Sequence, residues 1–234
     1  MRLAVVGLPH GVTSTVSVDG RPYSSISADS ELELLFDKGT AHTIQVSQLL
    51  SGSTGRRYRS EDNQIRIEGA TSHVFVYTTE NLVTFFTEPN NLFQTPRNGW
   101  YQRGTTLIVN RTGPDVIDVA PGVRLVFEGW YANSHNLEGV AESSLGTVKA
   151  TTIVVNGSMT VNGRHRTEYY LNVTSRLGET EGSEWRPKSS TASVSIDRET
   201  VPVEGLLSLL GLKYSFARWT GSSNFIGSPT EAQG

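Results

Sequence analysis

The chain has 234 residues, 36% hydrophobic and 18% charged, enough to bury a sizeable core in one large or several small β domains. Twenty Lys and Arg against 23 Asp and Glu leave a net charge of -3 with no long run of one sign, so nucleic acid and anionic membrane surfaces are not expected partners. The absence of cysteine excludes disulfides, thiolate metal sites and cysteine nucleophiles.

Residues 1–9 are apolar but lack the basic start and small-residue cleavage site of a secretion signal. Two readings are open for them. They form the first strand of their own sheet, closed by Pro9, or an arm whose Leu3, Val5, Val6 and Leu8 complete the sheet edge of a neighbouring copy. Beyond them, 51 Ser and Thr interleave with apolar residues at period two, the signature of half-buried strands. Clear cases are residues 15–18, 43–46, 73–77, 124–127, 169–173 and 191–196. Asp19-Gly20, Asn98-Gly99, Asn156-Gly157 and Asn162-Gly163 supply residues that tolerate the positive φ of tight hairpins. Residues 134–146 lack alternation and read as a linker. Residues 203–210 are the best helical candidate, weakened by Gly205 and Gly211, and read either as an apolar loop folded over a sheet edge or as an exposed contact surface. Residues 201–212, the longest apolar candidate, are too short and interrupted to span a bilayer. The expected class is all-β, as tandem small immunoglobulin-like sandwiches with little helix.

The four tryptophans repeat in pairs: Trp100 precedes Trp130 by 30 residues, and Trp185 precedes Trp219 by 34. Four residues after each leading Trp stands a small residue, Gly104 or Ser189, and a Thr/Val-rich strand follows. Phe85 and Tyr170 each lie fifteen residues ahead of the leading Trp. Each unit closes on an aromatic strand, residues 124–130 or 213–219. A fainter copy lies upstream, with Lys38-Gly39-Thr40 at the turn, residues 42–46 as the strand and Arg57-Tyr58 near the closing position. Boundaries are expected near residues 82 and 140, giving segments 1–82, 83–139 and 140–226 and a flexible tail, 227–234.

The stretches Asn98-Gly99-Trp100-Tyr101, Arg103-Gly104-Thr105-Thr106, Phe127-Glu128-Gly129-Trp130 and Tyr214-Ser215-Phe216-Ala217-Arg218-Trp219 carry a resemblance. The chain resembles β-rich repeat modules of archaeal and bacterial extracellular surface proteins. The likeness covers most of the chain and implies surface display and tandem all-β modules, without catalytic residues. Glu184-Trp185-Arg186-Pro187 departs from the Gly-Trp-Tyr pattern.

The five histidines are scattered, with no pair at metal-binding spacing. Carboxylates gather at Glu31/Glu33, Asp115/Asp118 and Glu179/Glu181/Glu184, without a calcium-loop pattern, and read as loop and solvated-face residues. No nucleophile elbow, phosphate loop or dinucleotide fingerprint occurs. No catalytic residue, cofactor or metal is expected. Asn110, Asn156 and Asn172 head glycosylation sequons, a number close to chance in so Ser/Thr-rich a chain. Trp100, Tyr101, Trp130 and Tyr131 read either as core residues or as a sugar-stacking platform. The expectation is a non-enzymatic extracellular structural protein, a self-associating subunit of a surface filament, pilus-like thread or surface layer; the alternative is a glycan-binding or adhesive module.

Overall fold

The alternating apolar and hydroxyl residues form short strands throughout a computed structural model that describes residues 1–136, 139–147 and 150–221. Strand accounts for 55% of the structure and helix for 3%. The chain is all-β. It runs through β1 (Arg2–Val6), β2 (Thr13–Val18), β3 (Arg21–Ser27), β4 (Glu31–Glu33), β5 (His42–Val46), β6 (Leu49–Ser51), β7 (Arg56–Arg59), β8 (Gln64–Ile67), β9 (Ser72–Val76) and the long β10 (Thr78–Glu88). It continues through β11 (Gly99–Gln102), β12 (Thr106–Asn110), β13 (Val116–Ala120), β14 (Val123–Asn136), β15 (Gly139–Gly146), β16 (Ala150–Val154) and the long β17 (Ser158–Leu171). Last come β18 (Thr180–Glu181), β19 (Glu184–Pro187), β20 (Ser195–Ile196), β21 (Thr200–Pro202), a 3-10 turn at Gly205–Leu210 and β22 (Lys213–Ser215). Two compact units result. One comprises Met1–Gly113 with Gly129–Arg164, the other Pro114–Glu128 with His165–Gly234. Position 82 falls inside β10 and position 140 inside β15, and the expected tail, 227–234, lies outside the described residues.

In the first unit β1 is a central strand, antiparallel to β4 and parallel to β9. Its alternation turns Leu3 and Val5 inward, where both are fully buried with Val16, Ile26, Leu34, Ile44 and Phe75. Burying each such side chain contributes about 1.5–3 kcal/mol. A second sheet, in the order β3-β2-β5-β8, closes over this core. Its first hairpin turns through Asp19 and Gly20, both at positive φ, as the Asp-Gly pair predicts. Tyr77, which shares the core with Tyr58, donates to the Ser47 carbonyl at 2.5 Å and lies 2.7 Å from the Ser14 hydroxyl. Burial pushes its pKa up.

The strand registers reveal a repeat deeper than the tryptophans. In parallel pairing, Arg2 faces Ser72 and Val6 faces Val76; likewise Thr84 faces Thr160 and Glu88 faces Arg164. Residues 2–6 are thus equivalent to 84–88, and 72–76 to 160–164. The inward positions agree, Leu3 with Phe85 and Val5 with Thr87, all four buried. The same 88-residue offset carries Glu80 on β10 to Glu168 on β17, which stand opposite Gln102 and Pro187, each two residues past its leading Trp. The following turns match as well. Gly39, Gly104 and Ser189 all have positive φ, and Thr40, Thr105 and Ser190 donate through their backbone N–H to the carbonyls of Asp37, Gln102 and Pro187. After the turn β5 pairs with β8 and β12 with β16, both antiparallel. The hairpins β6–β7, the start of β13–β14, and β21–β22 then place Arg57, Arg124 and Lys213 at one equivalent position.

Four sequence expectations change. Residues 134–136 and 139–146 are not a linker but parts of the antiparallel pair β14–β15, because the ladder is formed by backbone groups that every residue carries and does not require side-chain alternation. Asn162-Gly163 lies inside β17 rather than at a turn; a Cβ at Gly163 would stand 2.9 Å from Phe93 and 3.0 Å from Trp130, so the residue makes room for rings. Asn98-Gly99 opens β11 instead of forming a tight hairpin, and the Asn98 side chain accepts from the Phe85 N–H at 2.7 Å. The parallel pairs β1–β9 and β10–β17 also differ from an all-antiparallel immunoglobulin sandwich.

Candidate functional site

The feature that recurs with conserved geometry is a stack of arginine, glutamate and tryptophan. In the first unit Arg57 on β7 stands opposite Glu80 on β10 and donates through Nε at 2.5 Å. The guanidinium lies over the Trp100 ring at 4.5 Å. In the second unit Arg124 donates through Nε to Glu168 at 2.7 Å and lies over Trp185 at 4.3 Å. Trp185 stands opposite Tyr170, their rings 5.4 Å apart. Both glutamates are buried. Arg166 supplies a second fork to Glu168 at 2.8–2.9 Å. Burial alone would raise the Glu168 pKa, but the hydrogen bonds and charges of Arg124 and Arg166 outweigh it and hold the carboxyl below its ordinary range. Each stack clamps three strands through their side chains. Its chemistry is that of a staple, since the carboxylate is committed to guanidinium and one ring face is covered.

The residues singled out as a possible platform are placed accordingly. Trp130 is fully buried, edge-on to Phe93 at 5.8 Å. Trp100 is half-buried beneath Arg57, and Tyr131, also half-buried, has Arg164 over its ring at 4.4 Å. Tyr101 is half-buried with its hydroxyl donating to the Arg97 carbonyl at 3.1 Å. The four do not form one open aromatic face. Leu3, Val5 and Leu8 lie in the core of their own unit, while Val6 points outward. Asn110, Asn156 and Asn172 are all exposed. Among the described residues no group of three His, Asp or Glu side chains could hold a metal ion, and no helix is long and apolar enough to cross a membrane.

The second unit carries a cluster of exposed leucines. Between β21 and β22 the 3-10 turn buries none of its residues, leaving Leu206 85% and Leu209 83% exposed beside Leu207, Leu210 and Leu212. Gly211, at positive φ, ends the turn by donating to the Ser208 carbonyl. Residues 205–210 are thus exposed and not buried beneath a sheet edge. At the base of the hairpin a cavity of about 150 Å³ opens between Val201, Tyr214 and Phe216 on one side and Ser175, Arg176 and Leu177 on the other. Sequence reasoning found both leading tryptophans but missed Glu80, Glu168 and Arg124. Their signal was the shared Thr-Glu at 79–80 and 167–168, visible once the offset is 88. No family model, curated protein or solved structure matches the chain.

Proposed function

We propose that the chain is a non-catalytic structural protein of the cell exterior, a subunit of a surface filament, pilus-like thread or surface layer. The supporting observation is the recurrence of one strand-sharing module along the chain, its segments joined by parallel strands and by arginine–glutamate staples. In such a repeat each module contributes core without needing a cleft. Assembly in this reading does not draw on Leu3, Val5 and Leu8, which lie in the chain's own core; contact falls instead to the exposed leucines of the second unit. A glycan-binding role is the second reading, carried by the Trp and Tyr residues; it is disfavoured by the guanidinium groups that cover Trp100 and Tyr131.

The test is negative-stain imaging with light scattering over a concentration series, on the wild type and on Leu206→Ser with Leu209→Ser. Ordered oligomers that disappear in the double variant, with urea stability unchanged within about 0.5 kcal/mol, are the expected result. A monomer at every concentration would overturn the assembly reading, and saturable glycan-array binding by that monomer would put the second reading in its place.

A further inference from the structure

The outer face of the parallel pair β10–β17 carries polar and aromatic side chains that the same face of β1–β9 does without. At equivalent positions of the two ladders Ala4 faces Val74 and Phe86 faces Asn162, while Val6 faces Val76 where Glu88 faces Arg164. Small and aliphatic residues therefore suffice for the strand pairing, and the residues that replace them need another reason. Asn162 sharpens the point. It is 6% exposed, and its Nδ2 donates to Glu88 Oε2 at 3.0 Å, which fixes the orientation of the amide. Its Oδ1 is buried and accepts no hydrogen bond among the described residues. Such an acceptor destabilises the fold unless something outside the chain pairs with it. Opposite it, Phe86 is 39% exposed, an aromatic ring on the open side of a strand.

Phe86 also lines a cavity of about 100 Å³ between residues 85–87 of β10 and the loop that follows, whose Asn90, Asn91, Phe93 and Thr95 form the other wall. No charged residue lines it. The loop is held by the chain's own contacts. Thr87 Oγ1 donates to the Pro89 carbonyl at 2.7 Å and accepts from the Leu92 N–H at 3.2 Å, and Phe93 packs edge-on against Trp130. Asn90 and Asn91 stay exposed. At about 30 Å³ per water the cavity has room for about three water-sized groups, the hydroxyl edge of one ring. We infer that this site binds a single neutral sugar residue, its apolar face over Phe86, one hydroxyl donating to Asn162 Oδ1 and others exchanging hydrogen bonds with the Asn90 and Asn91 amides. An aromatic ring beside side-chain amides matches a ligand that is apolar on one face and hydroxyl-bearing at its edge. An anionic ligand is selected against, because the wall is uncharged, Glu88 flanks it, and Arg164 already lies 3.5 Å from Glu88 and over the Tyr131 ring. The stacking surface is Phe86, not the covered rings of Trp100 and Tyr131. The site makes no use of the exposed leucines, so this inference and the assembly reading can fail separately.

The probes are the methyl glycosides of glucose, galactose, mannose and N-acetylglucosamine, with that of sialic acid as the charged control, each titrated into the isotope-labelled full chain and followed by NMR. A neutral glycoside is expected to shift, saturably, the Asn162 side-chain amide and the backbone amides of residues 86–92, and the sialoside is expected not to. Phe86→Ala and Asn162→Val install the residue types of the first copy's ladder, Ala4 and Val74, and so keep the strand pairing. Each should weaken binding about tenfold or more. Asn162→Val should also leave the urea midpoint unchanged or raise it, because it removes an unpaired buried acceptor. No shift with any of the four neutral glycosides, shifts confined to other residues, or binding indifferent to both substitutions would overturn the inference. So would a sialoside that binds as tightly as the neutral sugars, or a urea midpoint that falls in Asn162→Val, which would make the amide a structural group.

Discussion

Replacing Glu168 by Gln should cost the second unit about 2–3 kcal/mol near neutral pH. The Glu168 side chain is 5% exposed. One carboxylate oxygen accepts from Arg124 Nε and Nη2, both at 2.7 Å, and the other from Arg166 Nε and Nη2 at 2.9 and 2.8 Å. Gln preserves the shape but removes the charge and turns an amide NH2 toward one guanidinium. A hydrogen bond to a charged group is worth about 1.5–3 kcal/mol net. Arg124, with its side chain 26% exposed, keeps most of that value, while Arg166, at 44%, contributes about 0.5 kcal/mol because water competes for it. The pH dependence has a definite sign. A carboxyl whose folded pKa is depressed stabilises above its unfolded value, about 4.3, and loses that contribution as pH falls through the folded value. The gap between wild type and variant should therefore close on acidification below about pH 4. Urea unfolding followed by tryptophan fluorescence gives the magnitude, and hydrogen exchange on residues 168–171 and 184–187 locates it. A loss under about 0.5 kcal/mol at pH 7, or a gap that widens in acid, would refute the staple.

Three further outcomes follow from the same geometry. Ser189 occupies at φ +66° the turn position that Gly39 and Gly104 fill, so Ser189→Gly should raise stability by about 0.5–1 kcal/mol and Gly104→Ala should lower it by about 1, both read as urea midpoints. Gly104→Ala without loss would show that the turn relaxes freely. Leu3→Ala should cost about 2–5 kcal/mol in thermal or urea unfolding, because the side chain is fully buried between two sheet neighbours; a loss near zero would mean that β1 does not hold its place in the core. Gly163→Ala should destabilise by about 1–3 kcal/mol through overpacking against Phe93 and Trp130, and Trp130→Phe should recover part of it, a coupling that a double-mutant cycle measures.

The tryptophan spacing made the repeat legible because each leading Trp stands at a fixed distance from a positive-φ turn, a local relation written within five residues. Lys38-Gly39-Thr40 was recognisable for the same reason although its copy has Leu35 where the others have Trp. Spacing across a loop misled. The fifteen-residue match of Phe85 and Tyr170 fails in the first case, where Trp100 stands opposite Leu82, because the intervening loop is three residues longer. Arg57–Glu80 and Arg124–Glu168 join residues 23 and 44 apart, and no local pattern reports a pair at such separations. The parallel strands were equally hidden. A strand's alternation gives its buried face but not the direction of its neighbour. The N-terminal strand illustrates the point, since apolar alternation at Leu3 and Val5 is the same whether the partner is β9 of this chain or a strand of another.

The parallel pairs have a consequence for how the polypeptide is made. Arg2 waits for Ser72, and Thr84 for Thr160, so each sheet is left without its partner strand until some seventy further residues have been synthesised. During elongation the newest module is always unsealed, with Leu3 and Val5, or Phe85, facing water for as long as translation of that stretch lasts, several seconds at about 5–20 residues per second. Charged and polar residues on the outward face limit the hazard of that interval only in part. Arg2 on β1 and Thr84 and Glu88 on β10 face outward on the waiting strands, but so do Val6 and Phe86, and these two leave an apolar contact that a neighbouring nascent chain can reach.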